Sequence, residues 1–442
     1  MRNLASVVTI ESVEKMYQKD RIVCAHMVEN SYEVIIPNTF KVGDKMVFIQ
    51  EGSVLPEKPV WEFLRKRCYN DSWKGYVIKP MVMGKKESLN ENGEPVESVR
   101  VKSWGLAIGL SECGLTEDQI KKLKAGDDLT DLLEIRKYES EEDASPKGTG
   151  KKAYPKWVKF CLEHKVLRWI GRIWQKNHQN SAGGFPTDEV QKSDETTIQN
   201  MKGALERFKN EIGYVSAKME GQSSTTCFDV VRDKVGNIKK VDKFYVCSRN
   251  NAYKLKCNND FWNWCVRNDI DKKLRKFYKD TGKLLIIQAE QCGPGIQSNI
   301  YGLKNIEWFV YLMEDMVTHQ QLTVDEMVKA CDVLDIKTVP IIQKDVRLGD
   351  IMPDLETAVK YAENQFWKPD IKDDKFFGIN PFYKPSENEK LWTDYFQHEG
   401  VVFRTNNCDK MRNVGVSFKI KNISYAETGL EKIAKSCSLL RK

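Results

Sequence analysis

Histidine is scarce, with five residues in 442: His26, His164, His178, His319 and His398. No two of them stand at metal-ligand spacing. The twelve cysteines contain no Cys-x-x-Cys pair. These absences argue against a His/Cys zinc site and against a histidine-based hydrolase. No apolar run approaches the length of a membrane span, so no membrane partner is expected. The opening stretch "MRNLASVVTIESVEK" lacks the apolar core of a signal peptide. A reducing compartment, cytoplasmic or nuclear, is therefore expected, with the cysteines as free thiols. A strong charge of either sign is also missing. The balance of 70 Lys and Arg against 63 Asp and Glu gives +7, which permits a polyanionic partner without requiring one.

What is present is an ordinary globular composition, 41% hydrophobic, in a chain long enough for two or three domains. Residues 1–138 read as mostly β. "RIVCAHMVENSYEVIIP" alternates, and "FKVGDKMVFIQEGSVLP" turns at Gly43-Asp44 before another strand. "GYVIKPMVMG" and "SWGLAIGL" read as strands, with a polar hairpin tip at "KKESLNENGEPVES" between them. Several short strands in this span suggest a small barrel of the OB type. "TEDQIKKLKAGDDLTDLL" reads as a helical extension capped by Thr116.

Residues 139–156 are charged and rich in helix breakers, as a linker is. Their "GTGKK" lacks the first glycine of a phosphate-binding loop, with Ser145 in its place, so it reads as linker. Residues 157–442 form a second domain. It opens on the helical "WVKFCLEHKVLRWIGRIWQ" and mixes strands and helices without a regular βα repeat. That pattern predicts an α+β fold with antiparallel sheets and flanking helices. "DFWNWCVRNDIDKKLRKFYKDTG" reads as one helix ending near Gly282, and Thr323 with Glu326 as a capping box.

Five stretches of this second domain carry charge on or beside apolar strands. They are Lys218 with Glu220 in "AKMEG", Arg249 in "CSRNN", Glu290 in "QAEQCGPGIQ", Glu399 in "HEGVVFR", and Lys419 with Lys421 in "SFKIKN". Each alone is what the solvent face of a half-buried sheet looks like. Together, three lysines, an arginine and three glutamates could bind a triphosphate and a divalent cation in one cleft.

The ordered set resembles the covalent nucleotidyltransferases, and among them the ATP-dependent RNA ligases that carry an N-terminal OB domain. "GPGIQSN" after Glu290 resembles RNA ligases rather than DNA ligases. "FPTDEVQKSDETTIQN" resembles the segment leading into their catalytic domain, and "FKVGDKMVFIQEGSVLP" and "VKSWGLAIGL" their OB domain. The resemblance implies a C-terminal adenylyltransferase domain and an N-terminal OB-like β-barrel. It implies that Lys218 attacks the α-phosphate of ATP, with Lys419 and Lys421 supporting the reaction. Glu220, Glu290 and Glu399 would hold Mg2+ or Mn2+. Arg249, Glu290 and Tyr311 would meet the nucleotide, with Tyr311 stacked on adenine, although Trp308 and Phe309 compete for that register. The implied partner is RNA or an RNA-containing duplex, sealed at nicks by a monomeric enzyme.

Two residues depart from the family pattern. The acid after the lysine is Glu220 where the family has aspartate. Ala217 stands where relatives place a polar or acidic side chain that reads adenine. The rivals within nucleotidyl transfer are mRNA-capping guanylyltransferases and DNA ligases, in which an OB domain follows the Lys-x-Lys strand. Only 21 residues follow Lys421 here, and the β-rich unit stands upstream. A non-catalytic RNA-binding relative is the alternative of another class.

Overall fold

The computed structural model describes residues 3–138, 181–187, 190–192, 195–253, 257–369, 379–406, 408 and 414–428. The expected linker and the aromatic helix after it lie outside the described residues. The chain forms two compact units.

The first unit is built on a seven-stranded antiparallel sheet. Its strands are β1 (Ala5–Met16), β2 (Lys19–Met27), β3 (Glu33–Pro37), β4 (Lys45–Gln50), β5 (Met81–Leu89), β6 (Pro95–Ser103) and β7 (Gly105–Gly109). Their order is β7-β4-β1-β2-β3, and β5 pairs with both β1 and β6. The two margins approach each other where Trp104 donates its N–H to Glu33 O and Ser103 Oγ accepts from Ile35 N. The sheet is thus an OB-like near-barrel. Its interior holds Val7, Val47, Ile49, Leu55, Trp61 and Tyr76. Burial alternates along β3, as its sequence suggests, whereas β4 is buried on both faces from Met46 onward and β5 holds no fully buried residue.

The expected helical extension is shorter than the sequence suggests. Helix α1 (Glu117–Lys122) is capped by Thr116 through a reciprocal bond with Gln119, then stops. Gly126, at φ +88°, turns the chain back, and its N–H bonds Val7 O. Two segments that the sequence assigned to the second domain, Thr196–Arg207 and Ile423–Glu427, belong to this first unit. Gln199 O accepts from Ser31 N, and the Lys202 ammonium meets Glu11.

Two mainly antiparallel sheets of the second unit carry the candidate site, beside a third of three short strands. The larger contains β9 (Gln222–Arg232), β10 (Ile238–Ser248), β11 (Asn251–Tyr253), β12 (Leu285–Cys292) and β13 (Glu307–Asp315), in the order β11-β10-β9-β12-β13. The smaller contains β8 (Ile212–Ala217), β14 (Ile341–Arg347), β15 (Gly400–Thr405) and β16 (Ser417–Lys421), in the order β16-β15-β8-β14. Apolar side chains of the larger sheet pack against α2 (Asp260–Arg267), α3 (Ile270–Thr281) and α4 (Val324–Leu334). Trp264 and Trp308 stack with centroids 4.5 Å apart. The stretch read as one helix is two. Asp269 takes a left-handed conformation at φ 53°, which interrupts the helix between α2 and α3. Gly282 ends α3 and Thr323 with Glu326 boxes the start of α4, as expected.

Candidate active site

The stretch Lys218-Met219-Glu220-Gly221 is the crossing from one sheet to the other. Strand β8 ends at Ala217 in the smaller sheet and β9 begins at Gln222 in the larger. Backbone bonds fix both ends of the crossing. Lys218 N–H donates to Gly400 O at 2.9 Å, and Glu220 N–H donates to the Tyr301 hydroxyl at 3.1 Å. Gly221 is required for space. A Cβ there would stand 2.5 Å from Gln291 O and 2.8 Å from Cys292 Sγ. The lysine is therefore placed by a rigid junction of two sheets.

Three carboxylates act on its charge. Glu399, immediately before β15, lies 2.5 Å from Lys218 Nζ, and both side chains are about a quarter exposed. Glu290 on β12 and Glu220 on the crossing also act on the ammonium. Burial pulls the Lys218 pKa down, but Glu399, Glu290 and Glu220 outweigh it and hold the group above its ordinary value. Lys218 is thus an ammonium in this state, and its charge balances the acids.

The other cations and the tyrosine are set by register. Lys421 pairs with Gly400 and Lys419 with Val402, one strand away from β8, so they share a face two residues apart. Ser216, which pairs with Val402, lies on the same line. Glu290 pairs with Ser223, whose hydroxyl is 3.3 Å from that of Tyr311. Tyr311 is half-buried, whereas Trp308 and Phe309 are 1% and 0% exposed. Phe309 pairs with Glu290 directly but is fully buried, and Tyr311, two residues on, is the more exposed of the three aromatics. Arg249 occupies the turn after Ser248, and Ser248 pairs with Ser224 on β9. Ala217 is buried at 2% exposure and offers only a methyl group.

The chemistry of the donor set fits a hard divalent cation. Glu220, Glu290 and Glu399 supply only carboxylate oxygens, the donors that Mg2+ and Mn2+ prefer. They converge on one cation already, the Lys218 ammonium.

Several residues of the site have no assigned role in the sequence reading. Gln297 Nε2 donates to Gly221 O, Ser298 N donates to Glu220 Oε1 at 3.4 Å, and the Cys292 thiol donates to Glu220 O. The "GPGIQSN" segment is thus a brace around the crossing. Its glycines and polar residues were a visible signal, but only the fold shows what they hold.

Residues 213–421 match the RNA ligase family model, and residues 4–89 match a model described as an OB-fold domain. No curated protein sequence matches the chain. Among solved structures, it is similar to a Naegleria gruberi RNA ligase mutant with AMP and Mn, at 20% identity and a TM-score of 0.64, covering 97% of this chain and 99% of that one. An apo mutant of the same enzyme gives 21% identity and a TM-score of 0.65, with 97% and 99% covered. At such identity these likenesses speak to the fold, which they share over almost the whole length. Residues 213–421 are thus an RNA ligase domain, with an OB-fold domain ahead of it in the chain.

Proposed function

We propose that this protein uses ATP to join a 3′-hydroxyl RNA end to a 5′-phosphate end at nicks in duplexes. The observation that carries this reading is Lys218 at the junction of two sheets, paired with Glu399 and in the field of Glu290 and Glu220. The similar Naegleria gruberi RNA ligase structures are with AMP or ATP and Mn, which supports the same donor and cation here.

The reaction has three steps. Lys218 Nζ, after losing its ammonium proton, bonds to the α-phosphorus of ATP, and pyrophosphate leaves. A free 5′-phosphate oxygen then attacks the phosphorus of lysyl-AMP, the P–N bond breaks, and an AppN end forms. A 3′-hydroxyl loses its proton and attacks the 5′-phosphorus, and AMP leaves. Deprotonating a lysine at neutral pH costs about 4 kcal/mol in water. The carboxylates raise that cost until a second cation engages them. Glu220, Glu290 and Glu399 would hold Mg2+ or Mn2+, which when bound supplies Lewis-acid charge at the α-phosphate. Lys419 and Lys421 offset negative charge developing on the phosphates. Tyr311 stacks on adenine, Glu290 meets the ribose, and Arg249 meets the nucleotide or the acceptor phosphate. With Ala217 before the lysine, adenine is recognised by backbone groups or another side chain.

The test is incubation with α-labelled ATP or GTP and a divalent cation, followed by denaturing electrophoresis. ATP is expected to label the chain covalently, and Lys218→Ala to abolish the label. Labelling by GTP alone would assign the capping reaction instead. Matched nicked duplexes with RNA or DNA on each side of the nick then define the substrate. Equal sealing without any RNA would overturn the RNA assignment.

A further inference from the structure

We propose that Glu14, Cys24, His26 and Glu33, in the N-terminal unit, form a binding site for a thiophilic divalent cation, zinc above all. Cys24 and His26 are two apart on β2, so both project from one face. Register brings the acids beside them: Glu14 on β1 pairs with Cys24, and Glu33 on β3 pairs with His26. One ligand atom each from Glu14, Cys24 and His26 lies within 4.8 Å of the others. His26 Nε2 stands 3.7 Å from Glu14 Oε2 and 3.8 Å from Glu33 Oε1. Ligands of a tetrahedral zinc, with bonds of about 2.0–2.3 Å, sit roughly 3.3–3.8 Å apart. Glu14, Cys24 and His26 thus stand within reach of one cation, and Glu33, outside that 4.8 Å group, would turn in from beside His26 as the fourth ligand.

Binding releases the Cys24 thiol proton to solvent, and the resulting thiolate, with an imidazole and two carboxylates, selects zinc or cobalt over magnesium. Cys24 borders a small apolar cluster with Met16 and Val101, which gives the site a dry wall. An open cavity of about 420 Å³, lined in part by Glu14, Lys86 and Ser98, gives a cation access. Lys86 now occupies the charge position. Its Nζ lies 2.5 Å from Glu14 Oε2 and 2.7 Å from Glu33 Oε1. It acts as a built-in competitor that a divalent cation must displace. A search for histidine pairs or Cys-x-x-Cys misses such a site, because its ligands come from three neighbouring strands.

The experiment titrates Co2+ into the full chain in saturating Mg2+, which fills oxygen-only sites. The readout is thiolate-to-cobalt charge-transfer absorption in the near ultraviolet. One equivalent is expected to produce the band and Cys24→Ser to remove it, with self-adenylylation unchanged. Glu14→Gln and His26→Gln should each weaken binding by about tenfold or more. Lys86→Met should tighten it by about tenfold or more, since a competing cation is gone. Circular dichroism checks that each variant folds, and the Lys86 variant, which removes no ligand, carries the test if the cysteine variant does not fold. Absence of the band at stoichiometric Co2+, its survival in the cysteine variant, or an unchanged affinity in Lys86→Met would overturn the proposal.

Discussion

Gly221 explains why the lysine motif closes on glycine. Any side chain there collides with Gln291 O, Cys292 Sγ and Glu290 Cγ, all within 2.8 Å of a built Cβ. Gly221→Ala is expected to cost about 1–3 kcal/mol in urea denaturation, as overpacking does. It should also slow self-adenylylation, because Glu290 is among the atoms that must yield. His398 gives a pH prediction. It is 1% exposed, its Nε2–H donates to Pro381 O, and burial pushes its pKa down to about 4. The unfolded chain takes up a proton near pH 6.5, while the folded state resists down to about 4. Stability is therefore full above the unfolded value and falls as pH drops through that window, by up to about 3 kcal/mol. Denaturation at about pH 7.5 and about 4.5, without divalent cation, checks this, and His398→Gln should lose less on acidification. Neither effect was legible beforehand: a glycine beside a lysine and a histidine beside a glutamate say nothing of packing.

At the scale of the element, β15 shows how far a strand pattern can be read. "EGVVFR" is a strand, as its β-branched residues indicate. Its Arg404 alternates with Val402 and resembles a solvent-facing charge, yet it is 4% exposed. The guanidinium pairs with Glu195, which also accepts from the Ser417 hydroxyl. Burial opposes the charge of Arg404 and Glu195 outweighs that opposition. Glu195→Ala is expected to cost about 3–5 kcal/mol, because it strands a buried cation. The double change Glu195→Leu with Arg404→Met should recover most of the loss, since an apolar pair of similar volume avoids desolvation. Denaturant midpoints of the single and double variants measure both. The α2–α3 break has the same lesson. "RNDIDK" contains no proline or glycine, and only the left-handed backbone of Asp269 interrupts the helix there.

At the scale of the molecule, the two units divide the work we propose. A chain lacking residues 1–150 should keep self-adenylylation and lose nick sealing on the order of tenfold or more, since duplex grip comes largely from backbone contacts. Labelling and sealing assays on the same preparation separate the two outcomes. Such a truncation also removes the body in which Thr196–Arg207 packs, including buried Ile198 and Ala204. Lower solubility of the truncated chain is therefore expected. The sequence placed that segment with the catalytic domain because linear order was the available guide.

The sequence by itself determined the order of elements, the α+β class, the upstream OB-type unit and the set of charged residues. Alternation, caps and turn formers are local signals, and a ligase motif is an ordered string. Tertiary structure decided what those residues face. It set Lys218 at a crossing between sheets, placed Glu399 against it, left Tyr311 less buried than Trp308 and Phe309, and gathered Glu14, Cys24 and His26 with Glu33 beside them. The physical reason is register. Pairing between distant strands determines which side chains share a face and which charges meet, and no local window of sequence contains that information.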